Sequence, residues 1–408
     1  MKTTWLMVTV MMTVTVGATM SATADWRQFR GNDSSGAVAE AGLPGRLEPD
    51  RHLAWKADLP GRGLSSPIIV GDRVLVTCAS GPRQQRLHVF CFRASDGVKL
   101  WERQWMATGR TMCHEKTSVA ANTPASDGER VFALFSSNDL VALDLEGNVL
   151  WIRGLTFDYP NVSNSLGMSS SLVVEGGTVV AQVENDSQSL ALGLDVRTGA
   201  NRWVLDRPRM ANWTSPVVLR NPSLGSGAVV LQSGRGLLAV APDTGQTLWE
   251  YTDGASTVPS SAVGGGMVLV PSHGLTALMP KAAGEAPEMQ WRSGTLRPGT
   301  SSPVVAGEHV YTINNAGVLN CGQLTDGRRV WQLRLKGPFS ASPVVSGHHL
   351  YVPNEAGLLQ VVDLTEPEGA VVAEWDFGQT LLGTPSISGR ALYLRSDRTL
   401  WCLAGPAS

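Results

Sequence analysis

An eleven-residue phrase, SSPVVAGEHVY at 301–311, is written again as ASPVVSGHHLY at 341–351, and a chain that repeats itself at this interval is confined to repeat architectures. Aligned on that opening, further copies begin at Ser65 (SSPIIVGDRV), Asn122 (NTPASDGERV), Ser169 (SSSLVVEGGTV), Thr214 (TSPVVL), Pro259 (PSSAVGGGMV) and Gly383 (GTPSISGRAL), which makes eight. Each is followed by a second apolar run, a polar turn, a third run such as LVALDL, a glycine turn and a tryptophan. The closing tryptophans are Trp55, Trp101, Trp151, Trp203, Trp249, Trp291, Trp331 and Trp375. Four short strands at a period of roughly 40 to 50 residues form one blade of a β-propeller. The expected fold class is all-β, an eight-bladed β-propeller of four-stranded antiparallel blades.

The phase of the two series predicts how the ring closes. Trp55 precedes the first Ser-Pro phrase, whereas the eighth phrase ends at LWCLAG with no closing strand after it. Residues near 52–59 therefore complete the last blade, which removes the open edge of a linear array. The unit at 259–291 is the most divergent. The repeated residues read as scaffold: the Ser/Thr-Pro step starts an innermost strand, where the missing proline donor is tolerated. The Thr-Gly turn in LDVRTGANRW (194–203) supplies a conformation costly for other residues, and each tryptophan buries a large ring between blades while its N–H finds an acceptor.

Residues 1–24 carry one early cation, Lys2, then an apolar run and an A-x-A end, the pattern of a cleaved export signal. A leader at 25–51 and the propeller at 52–408 follow. The apolar run falls short of a membrane span, and no cysteine follows the cut, so an exported protein, periplasmic or secreted and not lipid-anchored, is expected. With a net charge of −2 there is no electrostatic case for nucleic acid as a partner.

The motif A-x-D-x-x-T-G-x-x-x-W, matched fully or in part at LDVRTGANRW, APDTGQTLW and ASDGVKLW, resembles the repeat of pyrroloquinoline quinone (PQQ) propellers. The opening DWRQFRGNDSSG also looks like the leader of secreted members. The resemblance implies the fold over essentially all of the chain after residue 24. For function it implies two alternatives, since the family holds alcohol and sugar dehydrogenases and also cofactor-free scaffolds of outer-membrane protein assembly. The dehydrogenases hold PQQ with Ca2+ and a carboxylate base, and the alcohol dehydrogenases add an adjacent cysteine pair. This sequence has neither that pair nor a C-x-x-C-H haem motif, and it lacks the long insertions that build the quinone pocket.

Of five cysteines, Cys91, Cys321 and Cys402 fall at third-strand packing positions, while Cys78 and Cys113 do not and are left as a potential pair. No spacing suits zinc or an EF-hand calcium loop, and no G-x-S-x-G nucleophile motif occurs. The serines at 169–171 read as strand starts, not catalytic serines.

Function is sought where the copies disagree. The links RQWMATGRTMCHEKTSVAAN after Trp101 and IRGLTFDYPNVSNSLGM after Trp151 are far longer than their counterparts, and long loops on a regular scaffold carry binding groups. With the turns SSND and ENDSQS and the link RPRMANW they converge on one rim. The candidate ligand-binding set is His114, Glu115, Lys116, Asn138, Asp139, Asp158, Tyr159, Asn164, Glu184, Asn185, Asp186, Asn212 and Trp213, with His273 and Arg235 as weaker members. The leading expectation is a monomeric binding or scaffold module of the cell envelope, needing no cofactor or metal, that takes a protein, peptide or saccharide at the rim of blades 2 and 3. A PQQ-dependent oxidoreductase is the alternative. A carbohydrate hydrolase with a carboxylate pair drawn from Asp139, Asp158 and Glu184 is third.

Overall fold

The computed structural model describes residues 25–39, 42–162, 166–221 and 227–405; the expected export signal and Asn164 lie outside them. Eight blades of four antiparallel strands surround an axis, the seventh extended by a fifth, parallel strand of the leader, Ala37–Val38, and the only helices among the described residues are single turns at Pro49–His52 and Leu155–Asp158. In each blade the strand after the Ser/Thr-Pro phrase is innermost, beginning at Ile68, Ala125, Val173, Val217, Ala262, Val304, Val344 and Ser386. The divergent unit is a complete blade, Ala262–Gly264 through Glu288–Ser293. Ring closure is as the phase requires: Leu53–Asp58 pairs antiparallel with Thr399–Ala404, Asp58 opposite Thr399 and Leu53 opposite Leu403.

Neighbouring blades interlock through tryptophan and glycine. The Trp55, Trp101 and Trp151 rings each cover a glycine in the next blade's last turn, Gly97, Gly147 and Gly199. Each indole donates its N–H beside that turn, to the carbonyls of Ala94, Leu145 and Val196 at 2.8, 2.9 and 3.1 Å. The glycine is required twice over, by positive φ (+83° at Gly147) and by an approach so close that a Cβ there would lie 2.6 Å from Trp101.

Trp375 departs from the expected register. Its slot, opposite Val361, holds Ala373, and Trp375 sits one pleat further along opposite Leu359. The reason is topological: the third and fourth strands of blade 8 come from opposite ends of the chain, so no glycine turn joins them for a tryptophan to cover. Trp375 stacks instead on Phe377 at 4.8 Å, which meets Trp401 of blade 8 edge-on at 5.0 Å. Trp249 faces the long turn of the divergent blade, and its N–H has no partner among the described residues.

Residues 25–38 cross the face of the inner-strand turns and close the channel there. Trp26 bridges Ile69 of blade 1, the Arg27 carbonyl accepts from Ser126 N of blade 2, and Ser35 and Gly36 carbonyls accept from Val305 and Val345 of blades 6 and 7. Arg30, 1% exposed, donates to the carbonyls of Ser261 and Pro303.

Candidate functional site

Closed by the leader at one face, the channel opens at the other as a funnel of about 460 Å³. Phe29 of the leader forms its floor, Leu64, Val258 and Leu382 are apolar wall, and His114, Lys116, Trp213 and Glu355 stand toward the mouth. Between them runs a belt of hydroxyls, one from each blade and each two residues before its innermost strand: Ser66, Thr123, Ser171, Ser215, Ser260, Ser302, Ser342 and Thr384, all but Ser66 lining the funnel. From Ser66 to Ser342 each backbone N–H donates to the hydroxyl of the next blade's member, at 2.9–3.0 Å. Seven links thus tie eight blades at their inner ends. The Ser-Pro phrase that reads as a strand start is also the wall of the cavity, and its signal is the constancy of Ser or Thr in all eight copies.

At the mouth, Lys116 Nζ lies 2.8 Å from Glu355 Oε2, joining the link into blade 2 with the turn of blade 7. Ser340 Oγ donates to the other Glu355 oxygen at 2.7 Å. Burial works to raise the Glu355 carboxyl, but the bonds from Lys116 and Ser340 outweigh it and hold the group below its ordinary range. Lys116 is raised by the same bond. His114 Nδ1 accepts from Lys116 N at 3.1 Å, and Glu115 is exposed, its carbonyl accepting from Arg62.

The other predicted residues divide between bracing and exposure. Asp139 is fully buried, its carboxylate accepting from Thr108 N, Thr108 Oγ1 and Ser137 Oγ. Asn138 holds the second long link by donating to Val162 O, and Asn185 shapes its own turn through Ser187, Gln188 and Ser189. Glu184 is buried against Arg207 Nε at 2.5 Å and Asn212 Nδ2 at 2.9 Å; burial pushes its carboxyl up while Arg207 and Asn212 draw it back. Asp158 pairs with Arg153, Tyr159 Oη accepts from Asn201, and Asp186 accepts from Ala211 N. Trp213 donates to Gly167 O at 2.9 Å. Of the weaker members, His273 meets Asp253 in a turn of the divergent blade, away from this sector.

The two long links therefore do meet: His114 N donates to Leu166 O and Met168 N to Ser136 Oγ. Only His114, Lys116 and Trp213 of the predicted set line the funnel. A search for polar groups missed the apolar members of this rim. Phe157 is 75% exposed, Met112 54% and Leu166 44%, all on the two braced links.

The cysteines are all free. Cys91, Cys321 and Cys402 are buried in third strands as expected, whereas Cys78 is buried beside Arg395 and Cys113 accepts from Gln84, so the potential pair is not formed. Among the described residues no group of three or more His, Cys, Asp or Glu side chains is placed to hold a metal ion. No helix among them is long and apolar enough to cross a membrane.

A closed ring of eight such blades with a one-mouthed axial funnel is the architecture of the quinoprotein-like propellers. The chain belongs to the PQQ-like propeller family: the family model described as outer membrane protein assembly factor BamB matches residues 48–182, 161–265, 283–372 and 319–405. It is similar to the outer membrane protein assembly factor BamB of Alkalilimnicola ehrlichii, 28% identical over 211 residues, 51% of this chain and 48% of that protein. The chain thus spans about half the length of that relative in the match. BamB of Moraxella catarrhalis has the same fold at a TM-score of 0.63, with 14% identity over 86% of this chain and 99% of that one. A europium-containing methanol dehydrogenase superposes at 0.69, with 13% identity over 93% and 98%. The quinohemoprotein alcohol dehydrogenase of Comamonas testosteroni gives 0.68, with 14% identity over 96% and 82%.

Proposed function

We propose that this protein is a binding and scaffold module of the cell envelope, exported and engaging a protein partner through the rim of blades 2 and 3. The observation that carries this reading is the rim's composition: Phe157, Met112 and Leu166 are exposed on loops held by hydrogen bonds to each other and to the blades. Large exposed apolar side chains on a pre-formed support favour a protein contact over a saccharide one. The likeness to proteins named as outer-membrane assembly factors supports it. The test compares partners recovered from envelope extract by the unaltered protein and by two variants, Phe157→Asp with Leu166→Asp, and His114, Lys116 and Tyr159 changed together to alanine. Loss of the same partner from both variants is expected; retention of every partner by both overturns the rim.

The oxidoreductase reading is favoured by the dehydrogenases among the structural neighbours. Its chemistry asks for a divalent cation beside the quinone and a carboxylate free to take a proton. The carboxylate lining the funnel is Glu355, held by Lys116 and Ser340, and no metal-ligating cluster accompanies it among the described residues. These residues do not fit a PQQ–Ca2+ centre, and no catalytic step is derived through it. Titration with PQQ and Ca2+ is expected to give no calcium-dependent change in quinone absorbance or melting midpoint; a calcium-dependent change in both restores the enzyme reading.

A further inference from the structure

We infer that the hydroxyl belt in the funnel is a binding site for the carboxylate of a small ligand, bound without a metal. Seven of the eight belt oxygens already accept a backbone N–H, and no belt hydroxyl donates to a protein acceptor among the described residues. The eighth, Ser66 Oγ, has no partner among the described residues and lies outside the funnel lining. Every belt residue is at most 6% exposed. A buried donor left unmade is unfavourable, and seven lining one funnel describe the place of an acceptor. Each N–H that donates to a belt oxygen also polarises that O–H and makes it a better donor.

Charge gives a second, independent indication. Two arginines, each 1% exposed, lie immediately behind the belt, and no carboxylate oxygen bonds to either. Arg30 donates to the carbonyls of Ser261 and Pro303, the residues that follow belt members Ser260 and Ser302. Arg395 donates to Ser65 Oγ, next to belt member Ser66, and to the carbonyl of Thr77. Burial pushes the Arg30 guanidinium down to about 9 and lowers Arg395 as well. The Asp397 carboxylate lies near enough to offset part of the Arg395 charge, whereas burial alone acts on Arg30, whose positive charge in a low-dielectric wall attracts an anion into the adjoining cavity. At the mouth, Lys116 and Glu355 cancel, and His114 adds no negative charge.

The ligand class follows from the donor balance. A sugar or other polyol brings donors of its own, which compete with the backbone N–H groups for the belt's lone pairs. A carboxylate brings only acceptors. Phe29, Trp213 and the Leu64–Leu382 wall offer apolar surface to the rest of the molecule, in a cavity of small-molecule size. A free organic acid and the carboxy terminus of a short peptide share this chemistry.

The test is calorimetric titration and thermal melting of the intact protein at constant ionic strength, without calcium. The probes are succinate, one acetylated tripeptide with a free and with an amidated carboxy terminus, and glycerol. Binding by succinate or by the free-acid peptide is expected, with neither glycerol nor the amide binding; which of the two acids binds identifies the source. Ser302→Ala removes a hydroxyl that lines the funnel together with the acceptor of Ser260 N, so it should lower the melting midpoint of the free protein and weaken acid binding about tenfold. Ser302→Thr, which keeps both acceptor and donor, should bind as the unaltered protein does. Absence of binding by both acids, equal binding by glycerol or the amide, or unchanged affinity in Ser302→Ala overturns the inference. The rim reading is tested by partner capture and stands or falls separately.

Discussion

Replacing Gly147 with alanine is expected to destabilise the protein by about 2–5 kcal/mol, the sum of a left-handed backbone that alanine resists and a methyl group forced into a packed ring. The backbone there has φ of +83°, and the new Cβ would meet Trp101 Cδ2 at 2.6 Å and two more ring atoms at 3.0 Å. Trp101 cannot retreat without giving up its hydrogen bond to Leu145 O. The control is Gly284→Ala in the divergent blade, where φ is +90° but nothing lies within 4 Å of the added carbon. That variant should lose only the backbone contribution, about 1–2 kcal/mol. Urea unfolding followed by tryptophan fluorescence measures both. Equal losses would mean that the ring contact contributes nothing and that the blades are held by their inner strands alone.

The second large effect is expected at Glu184, whose carboxylate is buried with Arg207 beneath the rim. Glu184→Ala should cost about 3–5 kcal/mol, because it leaves a guanidinium buried opposite a void. Its side chain is 0% exposed and that of Arg207 is 4%, so water cannot take over the lost bond. The pair replaced as a unit, Glu184→Leu with Arg207→Met, should lie within about 1–2 kcal/mol of the parent, since apolar pairs of similar volume substitute well for buried ion pairs. Asn212 limits that recovery, since its Nδ2 also donates to Glu184 and then has Gln232 O as its remaining acceptor. Chemical denaturation of the single and double variants decides it. A single variant as stable as the parent would return Glu184 to the residues available for a ligand.

Tryptophan and glycine made the blades legible, because each sits where few other residues can: a large ring between sheets and a positive-φ turn beneath it. The closing strand was legible from phase alone, as the pairing of Trp55 with Cys402 across the chain ends shows. Trp375 was not, since its register depends on a turn that ring closure abolishes, and no local pattern announces that. Within the candidate site the two long links and their convergence were readable from length. The sequence does not say which polar side chains turn inward: Asp139 and Glu184 are braces because Thr108 and Arg207 reach back to them, a choice made by loop conformation. The hydroxyl belt was hidden for the opposite reason. Each member is ordinary within its own blade, and only closure brings residues some forty positions apart to one axis.

The pairing of Leu53–Asp58 with Thr399–Ala404 also sets an order of events. The strand that completes the last blade is made before the other strands of the eight blades and waits for a partner made after them. Until residue 399 or so has appeared, the early strand has no sheet to join, and the leader at 25–38, which touches blades 1, 2, 4, 5, 6 and 7, has only part of a channel to close. A chain cut short anywhere before that point keeps an unpaired edge at its beginning, a defect exposed to the proteases that remove unfinished proteins. Closure therefore works as a check on the ring: its earliest strand is sealed only once its latest strand exists.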